Sequence, residues 1–102
     1  MEMLVRIDGD MLRVAIGGEI DHHEAIEMRT RIDGIILEER PKKVIFDLSR
    51  VSVMDSSGIG LVLGRYRLMN SMGGSVAICG ASDSAVKIFR MSGVDRLIEI
   101  IQ

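Results

Sequence analysis

The feature that most constrains the fold is a nearly continuous apolar run, KKVIFDLS, that lies between two segments of helical periodicity. A strand that is apolar on both faces is typical of the interior of a parallel sheet, with cover on both sides. In the flanking segments, apolar residues recur at spacings of three and four, as in amphipathic helices. This alternation predicts an α/β domain in which helical crossovers join parallel strands.

The other elements complete the predicted order ββαβαβαβ. Strands are expected at residues 3–7, 11–16, 42–49, 75–80 and 96–101, and helices at residues 21–40, 56–72 and 83–93. Asp21 is suited to cap the first helix, with Glu24 three residues later in a pattern like a capping box. The chain of 102 residues is long enough for one core, so a single domain over residues 1–102 is predicted.

Composition excludes several classes of function. The net charge is −2, only three residues are aromatic, and no basic run is present, so nucleic acid is not an expected partner. No apolar run approaches the roughly 20 residues that cross a bilayer, so no membrane association is expected. Cys79 is the only cysteine, which fits a reducing cytoplasm. We expect a cytoplasmic protein that is monomeric on its own.

The stretch VMDSSGIGLVLGRY connects the central strand to the second helix. In an open α/β sheet, ligands and partners meet the loops at the carboxyl ends of the strands. Two such loops are predicted, at residues 17–21 and 49–56. If their strands are neighbours, five polar side chains lie together: Glu19, Asp21, Asp55, Ser56 and Ser57.

Three chemistries for this cluster fail on spacing. Neither serine has glycine two residues away on both sides, and no histidine follows either, so a nucleophile elbow is not formed. The glycines spell G-x-G-x-x-x-G, one residue longer than the dinucleotide fingerprint, and no P-loop lysine follows. The sequence DHHE has no second ligand cluster at a spacing usual for a metal. No enzymatic activity, cofactor or metal is therefore expected.

Gly60 and Gly64 lie four residues apart on one helical face, which permits a close approach of backbone to another surface. That surface is either the sheet or a partner protein, and the spacing alone leaves both open.

A phosphate acceptor is the remaining chemistry. A serine at a helix start is ordinarily a cap, but here Asp55, Ser56 and Ser57 all compete for one cap. A phosphate on Ser56 is expected to face free backbone N–H groups and the positive end of the helix dipole, which stabilises it by about 0.3–1 kcal/mol. Such a modification changes the surface and keeps the fold. Physical reasoning does not choose Ser56 over Ser57.

Four stretches carry a resemblance to a known family: GEIDHHEA, VIFDLSRVSVMDSSGIGLVLGRY, GGSVAICG and FRMSGV. Together they resemble the STAS-domain anti-sigma factor antagonists over nearly the whole chain. The motif MDSSGIG indicates the family, and DHH with LGRY is more similar to its sporulation members than to its general-stress members.

The resemblance implies a small mixed sheet with helices packed mainly on one side. It also implies a role: binding an anti-sigma factor that is an ATP-dependent serine kinase, and thereby releasing a sporulation sigma factor. That kinase would phosphorylate Ser56 and so end binding, and a PP2C-type phosphatase would restore it. The resemblance implies that Asp21, Ser57, Gly58, Ile59, Gly60 and Leu61 meet the partner, and the polar cluster adds Glu19, Asp55 and Ser56 to the expected partner surface. A STAS-like module that senses a nucleotide or small anion is the alternative function.

Overall fold

The computed structural model of the protein describes residues 2–101; Met1 and Gln102 of the predicted domain lie outside the described residues. Five strands and three α-helices follow the predicted order. The elements are β1 (Glu2–Asp8), β2 (Met11–Ile20), α1 (His22–Glu39), β3 (Lys43–Met54), α2 (Ser57–Ser71), β4 (Ser75–Cys79), α3 (Asp83–Ser92), a 3₁₀ helix (Val94–Arg96) and β5 (Glu99–Ile101).

The five strands form one mixed sheet in the order β1-β2-β3-β4-β5. The β1–β2 pair is antiparallel and the three other pairs are parallel, as the helical crossovers predicted. The predicted α/β class is therefore confirmed. Because β2 and β3 are parallel neighbours, their carboxyl ends lie side by side at one edge of the sheet.

The two loops predicted to precede α1 and α2, at residues 17–21 and 49–56, are shorter than predicted. The structure continues β2 through Gly17 and Gly18 to Ile20, and β3 continues to Met54. The paired glycines indicate a loop locally, whereas RVSVM, which follows KKVIFDLS, nearly alternates polar and apolar side chains as a strand does. Hydrogen bonding between the two strands, with register shifts after Ala15 and Gly18, holds both segments in the sheet.

The main core lies on one face of the sheet, beneath all three helices. It joins alternate residues of the central strands, such as Val14 and Phe46, to helix residues such as Ile32 and Phe89. This arrangement confirms the expectation of helices packed mainly on one side. The predicted burial of β3 on both faces holds for Val44, Ile45 and Phe46, which are consecutive in the strand and all buried.

The face of the sheet away from the helices carries a polar pair beside the buried Ile45. Nη2 of Arg13 in β2 donates to Oδ2 of Asp47 in β3 at 3.2 Å. Burial by itself raises the pKa of Asp47, but hydrogen bonds from Ser49 and the contact with Arg13 outweigh it, so the pKa is lowered. Asp47 therefore remains a carboxylate in the folded protein.

The last strand is shorter than predicted. Only Glu99–Ile101 pairs with β4, and the preceding residues of the predicted strand form the end of the 3₁₀ helix and a turn. Within residues 2–101, no helix combines the length and the apolar character that crossing a membrane requires.

Candidate functional site

The ends of β2 and β3 bring the two predicted halves of the site together. Ile20 lies opposite Met54 in the parallel register, and the N–H of Asp55 donates to the carbonyl of Ile20 at 3.3 Å. Each strand is then followed by a helix. Asp21 and Asp55 therefore come directly after two residues that are paired across the sheet, Ile20 and Met54. The pairing of strands, rather than any loop, sets this geometry.

Asp21 caps helix α1 as predicted. Its backbone is extended, and its Oδ1 accepts the N–H of Glu24 at 2.9 Å. A carboxylate in this position satisfies a helix-start donor and interacts favourably with the helix dipole. Asp21 is exposed, as is Glu19 before it, so both carboxylates face solvent at this edge.

Asp55, rather than Ser56 or Ser57, caps helix α2. Its Oδ1 accepts the N–H of Ser57 at 2.7 Å, and its carbonyl accepts the N–H of Gly58 at 3.1 Å. The next N–H groups, those of Ile59 and Gly60, point to the carbonyl of Ser56. The expectation that a phosphate here would face free N–H groups is therefore wrong, because the N–H groups of residues 57–60 already have partners.

Ser56 is left with an unused hydroxyl. Its backbone has helical angles, φ −62° and ψ −14°, rather than the extended angles usual for a capping residue, and its side chain makes no capping hydrogen bond. The residue is exposed, whereas Ser57 is half-buried. The structure thus distinguishes two serines that the sequence left equal, because Ser56 is the more exposed of the two.

The other predicted contact residues differ in accessibility. Ile59 is half-buried and Gly60 is exposed, so both reach the surface of α2. Gly58 and Leu61 are buried. A Cβ atom at Gly58 would lie 2.4 Å from Sδ of Met54, so this glycine admits the Met54 side chain beneath the start of the helix. Gly58 therefore supports the site from the interior of the domain.

Gly60 and Gly64 have no such constraint. A Cβ atom built at either position meets no atom within 4 Å. The prediction that these glycines allow close approach to the sheet is therefore wrong. Close approach to a partner protein remains a prediction.

The sequence did not predict an ion pair between a buried arginine of α2 and a half-buried aspartate of α1. Arg65 of α2 is only 5% exposed, and its Nε lies 2.7 Å from Oδ1 of Asp33 in α1. Those two atoms are too poorly aligned for a hydrogen bond, but Nη2 donates to Oδ2 at 3.4 Å and Nη1 donates to the carbonyl of Leu61 at 3.1 Å. A signal was present, because Arg65 lies four residues from each of two apolar residues, Leu61 and Met69.

The charge around Ser56 is negative. Glu19, Asp21 and Asp55 are all exposed, and none forms an ion pair with another residue in the described part of the chain. Over residues 2–101, no group of three or more histidine, cysteine or acidic residues is placed to hold a metal ion. The site is thus an exposed serine that follows the Asp55 carboxylate, with the exposed Glu19 and Asp21 at the neighbouring end of β2.

Comparison with known proteins agrees with this architecture. The family model of the STAS domain matches residues 2–102. The chain belongs to the STAS domain family. A curated relative, the anti-sigma F factor antagonist of Paenibacillus polymyxa, is 34% identical over 90 residues, which are 88% of this chain and 77% of that protein.

Two solved structures of SpoIIAA share this STAS fold. The anti-sigma factor antagonist SpoIIAA in its unphosphorylated form is 28% identical, with a TM-score of 0.87 over 99% of this chain and 89% of that one. The Bacillus cell fate determinant SpoIIAA in the phosphorylated form is 28% identical, with a TM-score of 0.79 over 99% of this chain and 92% of that one. The likeness thus extends over nearly the whole STAS domain.

Proposed function

We propose that this STAS domain is an anti-sigma factor antagonist switched by phosphorylation of Ser56. It binds an anti-sigma factor that has serine kinase activity and so releases a sporulation sigma factor in the cytoplasm. Phosphorylation by that kinase ends binding, and a PP2C-type phosphatase restores it. The chain itself catalyses no reaction in this scheme. The observation that carries the proposal is the exposed Ser56 hydroxyl, left unused because Asp55 caps the helix.

The capping geometry explains why the domain tolerates the added charge. A phosphate on Ser56 would displace no hydrogen bond of the helix start, since the side chain of Ser56 makes none there. It would project into solvent, so burial would not oppose its ionisation. We therefore expect the phosphorylated and unphosphorylated domains to have nearly the same free energy of unfolding.

A negatively charged group of the partner close to Ser56 would explain why binding does not tolerate the phosphate. A phosphoserine adds about −1.5 to −2 charges at neutral pH. At about 8 Å from a like charge, two charges cost about 2–4 kcal/mol at an effective dielectric constant of 20–40. This cost falls on binding if the partner that fits the unmodified form places a carboxylate or carbonyl oxygen beside Ser56, or buries the phosphate. A loss of 1.4 kcal/mol is tenfold in affinity, so the switch needs no refolding.

The relatives support the same role. The Paenibacillus polymyxa relative is named for antagonism of an anti-sigma F factor, and SpoIIAA has been solved in a phosphorylated form. The capped start of α2 disfavours the alternative of a nucleotide or anion sensor, because the Asp55 carboxylate already occupies the position where an anion would bind.

The test uses the anti-sigma F factor from the organism that supplies this chain. Calorimetry should show that Ser56→Asp weakens binding at least tenfold, while Ser57→Asn, a neutral change at the neighbouring position, has a smaller effect. Incubation with that kinase and ATP should place phosphate on Ser56 by peptide mass spectrometry. Equal affinity of wild type and Ser56→Asp, or phosphate on another residue, would contradict the proposal.

A further inference from the structure

A groove runs between the first halves of α1 and α2 and opens next to Ser57. We call it the α1–α2 groove, and it is lined by His22, Ala25, Ile26, Arg29, Ser57, Gly60 and Leu61. Its floor is apolar, since Leu61 is 3% exposed, while Ile26 on its side remains 42% exposed. An inference about its occupant rests on the proposed function, because the groove borders the same serine pair.

The groove has room that the domain itself does not use. Gly60 forms part of its wall, and a Cβ atom at that position would meet no atom within 4 Å. A glycine inside a helix costs about 1 kcal/mol relative to alanine. No contact within the domain requires a glycine here, so the open space is a feature of the surface.

The charge of the groove is opposite to that of the Ser56 edge. Arg29 is exposed and forms no ion pair with another described residue. The nearby carboxylate of Asp33 is already paired with Arg65. Arg29 and Asp33 lie four residues apart on α1, so their side chains share one face of the helix. Two cations and one carboxylate leave a net positive charge at this end of the groove.

The distance between the two charged ends follows from helix geometry. Arg29 lies eight residues after Asp21, which corresponds to about 12 Å along α1 at a rise of 1.5 Å per residue. A partner that covers both ends therefore meets negative charge beside Ser56 and positive charge about two turns farther along α1.

We propose that the α1–α2 groove receives an acidic segment of the anti-sigma factor, with an apolar side chain against Ala25, Ile26 and Gly60 and an aspartate or glutamate against Arg29. Charge complementarity favours an acidic segment, because Arg29 lies at the rim of an apolar groove and forms no ion pair with a described carboxylate. The groove extends the partner surface away from Ser56, and its contact does not depend on phosphorylation.

The test compares two charge reversals on the same helix. Arg29→Glu should weaken binding of the anti-sigma F factor by about tenfold or more, since attraction becomes repulsion. Arg31→Glu makes the same change of net charge two residues away, at an exposed position beside β1, and should change affinity by less than about twofold. Gly60→Leu fills the groove and should weaken binding about tenfold without lowering the melting temperature.

A rescue experiment identifies the carboxylate. Single Asp→Lys or Glu→Lys changes across the anti-sigma factor should include one that restores binding to Arg29→Glu and weakens binding to wild type. Binding of Arg29→Glu equal to that of wild type, with Ser56→Asp still defective, would overturn this inference and leave the proposed function standing. Failure of wild type to bind would overturn both. Self-association that Arg29→Glu abolishes would assign the groove to a second copy of this chain and overturn the inference.

Discussion

Helices α2 and α3 begin with the same three residues in a different order. Residues 55–57 read Asp-Ser-Ser and residues 82–84 read Ser-Asp-Ser. At α3, Ser82 has an extended backbone and its Oγ accepts the N–H of Ala85 at 3.2 Å. At α2, Asp55 accepts the N–H of Ser57, and Ser56 has helical angles with no capping bond.

The comparison shows that a serine at a helix start becomes available for chemistry only when another residue caps the helix. Modification of Ser82 would remove a hydrogen bond that the helix uses, whereas modification of Ser56 would not. The placement of the aspartate one residue earlier is therefore what separates a structural serine from a candidate regulatory one.

The largest expected effect concerns how the two helices are anchored. Helix α3 buries an apolar face that includes Phe89, whereas α2 also buries Arg65 against Asp33. Asp33→Ala should lower the free energy of unfolding by about 2–3 kcal/mol, because it leaves a buried guanidinium without its carboxylate. The side chain of Asp33 is 32% exposed, which places the loss below that of a fully buried pair.

Urea denaturation of Asp33→Ala, Arg65→Met and the double variant measures this anchoring. The double variant should be more stable than Asp33→Ala, since it removes the unpaired charge together with its partner. Additive losses in the double variant would show that the ion pair contributes nothing to the attachment of α2.

The second-largest expected effect concerns the caps of α2 and α3. Ser82→Ala should lower the free energy of unfolding by about 1 kcal/mol, the usual contribution of a side-chain cap. Asp55→Ala should have a similar cost, while Ser56→Ala should change stability by less than about 0.5 kcal/mol. Thermal denaturation of the three variants gives the ranking. A loss at Ser56 as large as that at Ser82 would remove the distinction between the two helix starts.

The smallest expected effect on stability lies outside both helices, at Asp47 on the face of the sheet away from the helices. The pKa of Asp47 is lowered by folding, so its contribution to stability is fully present above the unfolded pKa of about 3.9 and is lost as the pH falls through the lower folded value. Asp47→Asn should therefore be less stable than wild type at pH 6, with the difference shrinking between pH 4 and pH 2.

Denaturant titrations at pH 6, 4 and 2 follow this difference, with Asp10→Asn as the control, because the pair of Asp10 with Lys42 is exposed at 3.7 Å. A stability difference for Asp47→Asn that stays constant from pH 6 to pH 2 would contradict the assignment.

The sequence predicted those parts of the fold whose causes are local. The order of elements, the three helices and the cap of α1 by Asp21 follow from apolar periodicity and from hydrogen bonds three residues apart. The extension of β2 to Ile20 was not predictable in this way, because Gly17 and Gly18 form a strand only through pairing with β3. The extension of β3 to Met54 had a local signal in the alternation of RVSVM, which the prediction did not use. The shorter β5 has the same explanation as β2, since its pairing partner determines its length.

For the site, the sequence by itself determined which chemical groups stand at the two strand ends: acidic residues after β2, and an aspartate and two serines after β3. Only the tertiary structure decided which serine is exposed, because packing of the start of α2 against the domain half-buries Ser57 and leaves Ser56 at the surface. Tertiary structure also placed Arg65 against Asp33 and left Arg29 without a partner. Helix packing brings those side chains together over long sequence separations, which local patterns do not encode.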